Sequence, residues 1–197
     1  MTDGVLQGYG LHADALAVLT AYSPVDGPAA PRQADLRTEY LRLLGERADA
    51  TWRECVPAHL TASVVVLDAA GERALLVLHR KARMWLQMGG HCEPADASVA
   101  DAALREAREE SGVDGLRLLG GPVLLDRHRA PCGGGAEHHY DVMYAAVAPA
   151  GAAMQRNAES TDIGWFALDA LPEPTDDALR ALVAAGARRF HTGFHTY

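Results

Sequence analysis

Two apolar runs, TASVVVLD (61–68) and RALLVLH (73–79), lie on either side of the polar break AAGE. Both are rich in β-branched and large apolar residues and the break carries Gly71, so the pattern predicts two strands joined by a turn. The N-terminal part of the chain has a longer period. Leu36, Tyr40, Leu43 and Leu44 recur at i, i+4, i+7 and i+8, which predicts an amphipathic helix. The apolar run from Leu11 to Tyr22 predicts an earlier one, with the Pro- and Gly-rich SPVDGPAAP as linker. A third helix is expected from Ser98 to Ser111: Ser98 and Asp101 resemble a capping box with Asp in place of Glu, and Gly112 closes it. Further strands are expected near Leu116 to Asp126, Tyr140 to Val147 and Ile163 to Ala167. Residues 175–190 begin with Thr and two acids and end with two Arg, complementing a helix dipole at both ends. Strands mixed with a few helices predict an α/β sandwich over residues 58–197, preceded by an N-terminal helical extension over residues 1–57.

Composition narrows the range of partners. A chain of 197 residues that is 49% hydrophobic can bury one sizeable core. The formal charge of -8 argues against tracking nucleic-acid backbones, which depends on clustered Lys and Arg. Lys81 is the only lysine. Cys55, Cys92 and Cys132 are too few and too scattered for a disulfide framework and have no zinc-finger spacing, which points to reduced thiols in a cytoplasm. No basic-apolar leader and no long uninterrupted apolar run suggests export or a membrane span.

The third helix carries the chemistry. Glu106, Glu109 and Glu110 lie within one turn, and like charges three or four residues apart repel by roughly 0.2–0.5 kcal/mol per pair. Arg105 can steady one of them. A hard divalent cation would offset the rest, since Mg²⁺ binds one or two protein carboxylates together with substrate phosphate oxygens and waters. Gly89 and Gly90, just upstream, form a turn without side chains that lets a backbone carbonyl approach the same ion. A metal held in this way can neutralise a diphosphate and orient a water for attack on phosphorus.

The segment from Gly90 to Val113 resembles the Nudix box, the pattern Gly, five residues, Glu, seven residues, then Arg-Glu-apolar-x-Glu-Glu-x-Gly-apolar. REAREESGV (105–113) matches its second half at every fixed place. The first half departs: the acid is Asp96 and eight residues, one more than the pattern, precede Arg105, as a one-residue loop insertion would produce. WLQMGGH resembles the strand that leads into the box, and NAESTDIGWFALDALP (157–172) resembles the later segment in which an acid, here Glu159, precedes a Trp-Phe strand. The resemblance covers roughly residues 60–172.

It implies a Nudix-like α/β/α sandwich with a mixed sheet and a pyrophosphohydrolase using Mg²⁺ or Mn²⁺. The metal ligands would be Glu106, Glu110, Glu109 directly or through water, and the Gly90 carbonyl. Arg105 would orient Glu109, and the general base would be Glu106 or Glu159. The substrate would be a small nucleotide-type molecule, a nucleoside diphosphate linked to another group. The accessory signals of particular substrates are missing: Pro122 lies too near the box and Pro131 too far to match the ADP-ribose proline, and the coenzyme A and NADH signatures are absent.

Each reading has a plainer competitor. REAREESG could be an ordinary solvated helix face; the adjacent glycines, flanking strands and later acid favour a metal site. Asp96 reads as a helix cap rather than a catalytic acid, while the resemblance implies that an acid at its place mainly braces the loop; His91 and Cys92 read as loop residues. DRHRAPCGGGAEHHYD (126–141) reads either as a surface hairpin or as a phosphate-contacting loop through Arg127, Arg129, His138 and His139; Arg80 and Lys81 are candidates of the same kind. Trp85, Trp165 and Phe166 read as packing. Two other functions share the fold: a nucleotide-sensing module, which would be expected to lose a metal acid, and an isomerase, which would need a thiol such as Cys92. The extension could cover the site, form a homodimer contact or pack on the sheet.

Overall fold

The computed structural model describes residues 3–24, 29–129 and 136–193. The middle of the predicted linker, Pro131, Cys132 and the glycines at 133–135 lie outside the described residues. The elements run α1 (Asp3–Ala21), α2 (Ala30–Glu46), β1 (Ala58–Leu67), β2 (Arg73–His79), β3 (Met84–Leu86), β4 (Met88–His91), α3 (Val99–Ser111), β5 (Arg117–Leu118), β6 (Leu124–Arg129), β7 (His138–Val147), β8 (Ser160–Ala167) and α4 (Asp177–Gly193). The expected helices and strands are all present. The segment near Leu116 to Asp126 yields two short strands, because Gly120 takes φ 95° and Gly121 and Pro122 follow it.

One mixed sheet organises the chain. β1 and β7 pair in parallel over ten residues, from Ala58 against His138 to Leu67 against Val147. All ten residues of β1 are buried, as expected of a strand covered on both faces. Alternation then divides the core. Leu60, Ala62, Val64 and Val66 join a cluster with residues of α1, α2 and α3, while Val65 and Leu67 pack with Leu179, Leu182 and Val183 of α4. These layers make the α/β/α sandwich that the sequence implies.

The sheet also splays. β1 pairs with β2 only at Val66 and Leu67 and takes β4 as its partner from Thr61 to Val64. β2 meanwhile pairs with β3 and β8. The two arms diverge, and the opening between them receives the site.

The N-terminal helices pack on the sheet. Gln33 of α2 acts as a stand-in for a strand residue: its Nε2 donates to the Leu125 carbonyl at 2.9 Å and its Oε1 accepts the Leu125 N–H at 2.8 Å. Tyr22 donates to the same Oε1, and Tyr40 donates to the carbonyls of Asp126 and Asp141. Asp14 of α1 accepts the Val99 N–H at 2.8 Å, so α1 caps α3. Among the described residues no helix is long and apolar enough to cross a membrane.

Gln33→Ala should leave a buried N–H and a buried carbonyl of β6 without partners, at about 1–3 kcal/mol for each orphaned group. A thermal melt should fall by several degrees, and an unchanged midpoint would show that α2 adds no stability to this edge.

Candidate functional site

The helix α3 is set by its ends. Ser98 accepts the Asp101 N–H and donates to the Asp101 carboxylate, and Gly112 adopts φ 65° at the C-terminus. Val99, Ala102, Ala103 and Ala107 are buried in the core, and the acids face β4. Glu110 is only 5% exposed and accepts the Gly89 N–H at 2.8 Å. A Cβ on Gly90 would lie 2.5 Å from Glu106 Oε1, and one on Gly89 would lie 2.4 Å from the Ser63 Cβ. Side chains at these two positions would push α3 and β1 away, which is why the carboxylates can approach this strand.

Their electrostatics are unfavourable in the absence of a cation. Burial pushes the Glu110 carboxyl up to about 8; the Gly89 N–H pulls it back while Glu106, Glu159 and Glu109 add to the rise. Glu106 is also raised by burial, against the lowering effect of Arg105.

Arg105 is the hub of the loop between β4 and α3. Its Nε and Nη2 fork onto the two oxygens of Asp96 at 2.9 and 3.1 Å, Nη2 also donates to the His91 carbonyl at 2.8 Å, and Nη1 reaches Glu106 at 3.0 Å. Glu109 receives a longer contact of 3.3 Å and is largely exposed, so Arg105 orients Glu106 more than the expected Glu109. Burial opposes the Arg105 charge, but Asp96 and Glu106 outweigh it and hold the guanidinium cationic. Asp96 is therefore not the helix cap expected from sequence: Ser98 fills that position, and Asp96 braces the loop by accepting from Arg105 and from the Glu93 N–H.

The acids open into a cavity of about 620 Å³ between the two arms of the sheet. His79, Leu86 and Gln87 line it from one arm, Thr61, Ser63 and His91 from the other. Glu106, Glu110 and Glu159 all reach it, so the helix acids and the later acid converge although at least 49 residues separate them in sequence.

Strand alternation decides which hairpin residues join them. His128 lies across from His139 and Asp126 from Asp141, and His128, His139 and Asp141 line the cavity. Arg127, Arg129 and His138 fall on the opposite parity. They do not line the cavity, and Arg127 forms an ion pair with Glu39 of α2 at 2.7 Å. Arg80 does not line the cavity either; its side chain donates to the carbonyls of Ala158 and Ser160, and its N–H to the Glu159 carbonyl, so it holds the Glu159 segment. Lys81 is exposed and outside the lining. The cation that does line the cavity is Arg53, in the segment after α2, which the sequence reading did not single out.

The β1, β4 and β7 side of the cavity is polar. Asp141 is buried and accepts from Ser63 at 2.6 Å and Thr61 at 3.1 Å; burial still raises its carboxyl above the usual range. His91 ends β4 rather than lying in a loop, and its ring sits 5.0 Å from that of His59 and 5.1 Å from that of His139. Burial lowers His91 to about 4 and His139 to about 3, with neighbouring imidazoles adding to both. The signal for this wall was present in the sequence: His59, Thr61 and Ser63 are alternate polar residues in an otherwise apolar strand. Burial pushes the Cys92 thiol up to about 12, which keeps it protonated and unsuited to the nucleophile of an isomerase. Trp85 packs edge-on against Phe166 at 4.7 Å, as expected of core aromatics.

A sequence model of the NUDIX domain matches residues 57–185. Similar solved structures include a NUDIX-family hydrolase from Clostridium perfringens, at 21% identity and a TM-score of 0.54 over 68% of this chain and 97% of that one. A MutT NUDIX hydrolase from Burkholderia pseudomallei is 24% identical with a TM-score of 0.51, over 65% and 97% of the two chains. The dihydroneopterin triphosphate pyrophosphohydrolase of E. coli is 17% identical with a TM-score of 0.52, over 63% and 91%. No curated protein matches the chain by sequence.

The raised Glu110 carboxyl gives a signed pH dependence. Below about 4.5 it is protonated in both folded and unfolded chains; between there and about 8 only the folded chain retains the proton. Stability of the metal-free protein should therefore fall as pH rises through that window, and Glu110→Gln should flatten the slope in melts recorded from pH 5 to 8. A second outcome concerns the hub. Arg105→Ala strands the buried Asp96 carboxylate and should cost about 3–5 kcal/mol in denaturant unfolding, whereas a loss below 1 kcal/mol would show that Asp96 needs no partner.

Proposed function

Because this chain belongs to the Nudix hydrolase family, we propose that its cavity hydrolyses a phosphoanhydride bond in a nucleoside diphosphate linked to a further group, with Mg²⁺ or Mn²⁺ as cofactor. The observation that carries this reading is the convergence of Glu106, Glu110 and Glu159 on one cavity beside the side-chain-free edge formed by Gly89 and Gly90.

The residues fit a hard dication. Buried carboxylates crowded until their protons are held too tightly are stabilised in the charged form by a nearby cation, and oxygen donors suit Mg²⁺ and Mn²⁺. Glu106, Glu109, Glu110 and the Gly90 carbonyl are the groups that would hold it. When bound, the ion supplies charge neutralisation of the diphosphate and a more acidic water.

The chain's own residues supply the rest. Glu159 is the general base in this reading: it is exposed to the cavity, and among the described residues its carboxylate takes no hydrogen bond, whereas Glu106 is tied to Arg105 and Glu110 to Gly89. It would take the proton from the attacking water. Arg53, on the cavity wall, would supply a positive charge to the substrate phosphates. Trp52 lines the same wall and offers a surface for a base to stack on. Arg105 keeps Glu106 in place and does not touch substrate. Cys55 and Cys92, both buried and free, fit a reducing cytoplasm.

Release of nucleoside monophosphate from a panel of nucleotide sugars, dinucleotides, CDP-alcohols and nucleoside triphosphates should require Mg²⁺ or Mn²⁺ and stop with chelator. Glu159→Gln should lower kcat by about 10²–10⁴ with metal affinity intact, and Glu110→Gln should weaken metal binding itself. Nucleotide binding without cleavage across the panel would replace the hydrolase reading with a sensing module. A Glu159→Gln enzyme of undiminished kcat would return the base to Glu106.

A further inference from the structure

We propose that His59, His91 and His139 form a second metal site, distinct from the carboxylate site, for a transition-metal dication of the zinc class. The strand register builds it. His59 on β1 lies across from His139 on β7, and Thr61, the next residue of the same face, lies across from His91 on β4, so three imidazoles from three adjacent strands share one corner of the sheet. Their ring centroids form a near-equilateral triangle with sides of 5.0, 5.0 and 5.1 Å. Three imidazoles on a tetrahedral ion with bonds of about 2.0–2.1 Å place their ring centroids about 5 Å apart. One ligand nitrogen from each ring already lies within 4.8 Å of the others. Binding requires these nitrogens to close to the roughly 3.4 Å edge of such a tetrahedron.

His59 supplies the independent observation. It is fully buried, and its Nδ1 lies 3.1 Å from the Cys55 carbonyl, which can only accept, so Nδ1 carries the proton. The remaining nitrogen, Nε2, is buried and, among the described residues, has no hydrogen-bond partner. A buried polar atom in that condition destabilises the fold, and a dication on its lone pair removes the cost. A metal-binding histidine is typically held in this way, one nitrogen fixed by a backbone carbonyl and the other left as ligand.

The donor chemistry separates this site from the acids. Imidazole suits zinc, cobalt and nickel, whereas the carboxylates and carbonyl around Gly90 suit hard ions. His91 and His139 line the cavity, so a fourth coordination position is turned toward it for a water or a substrate oxygen. One cavity thus presents a hard and a borderline metal site, the two meeting along β4 where His91 follows Gly90.

The test is titration of the chelator-stripped protein with Co²⁺, read by visible absorption. The wild-type protein should take up one equivalent with the intense bands of a four-coordinate nitrogen site, and Zn²⁺ but not excess Mg²⁺ should abolish them. Glu110→Gln should retain the bands. His91→Asn and His139→Asn, each checked for an unchanged circular dichroism spectrum, should lose more than about 100-fold in Co²⁺ affinity, beyond the usual effect of losing an outer partner of a ligand. Only weak six-coordinate bands in the wild type, bands unchanged in both histidine variants, or bands lost in Glu110→Gln would overturn the site. None of these readouts depends on hydrolysis, so failure of the hydrolase reading and failure of this one are separate results.

Discussion

The fork from Arg105 to Asp96 is the interaction on which the rest of the site depends. A loop of seven residues joins β4 to α3, and an internal tie fixes its path between the strand edge and the acid-bearing helix. One guanidinium links the start of that loop through the His91 carbonyl, its middle through Asp96, and the helix through Glu106. Its planar geometry matters, because two parallel bonds to one carboxylate fix direction as well as distance. With the frame set, Glu110 can sit against the Gly89 N–H and Glu106 against Gly90, where any larger residue would collide.

The second constraint is the pleat. Two strands of the hairpin, β6 and β7, carry charged and titratable residues at nearly every position toward their open ends, yet only every other one meets the cavity. A shift of one residue in the β1–β7 register would replace His139 and Asp141 with His138 and Tyr140 and dismantle the polar wall. The ten-residue parallel pairing, buried on both faces, makes such a shift expensive in apolar burial. Packing at the Val65 and Leu67 end thus fixes the chemistry at the His59 end of the same strand.

What could be read from the sequence follows from how local each signal is. The helix ending at Ser111 carries its own start and stop in Ser98 and Gly112, and the carboxylate spacing is complete within it. Glu159 could be placed because it precedes a recognisable Trp-Phe strand. That Arg127, Arg129 and His138 stand away from the cavity lining could not be read, because alternation divides a hairpin into two faces without telling which face is the cavity. That choice is made by β1, about 80 residues away in sequence. The cap reading of Asp96 failed for a similar reason, and only the resemblance pointed to its bracing of the loop: its partner is a side chain on the next element, reaching back nine residues. The histidine wall needs three strands together before it exists at all.

Gln33 has a meaning beyond its two hydrogen bonds. The family match starts at residue 57, but the side chain that occupies the Leu125 edge of β6 comes from residue 33. A chain trimmed to the family boundary would present that edge bare, with an N–H and a carbonyl arrayed for any passing strand, and its first new partner would be the same edge of another copy. The helical extension therefore shields this part of the β6 edge from pairing with another strand.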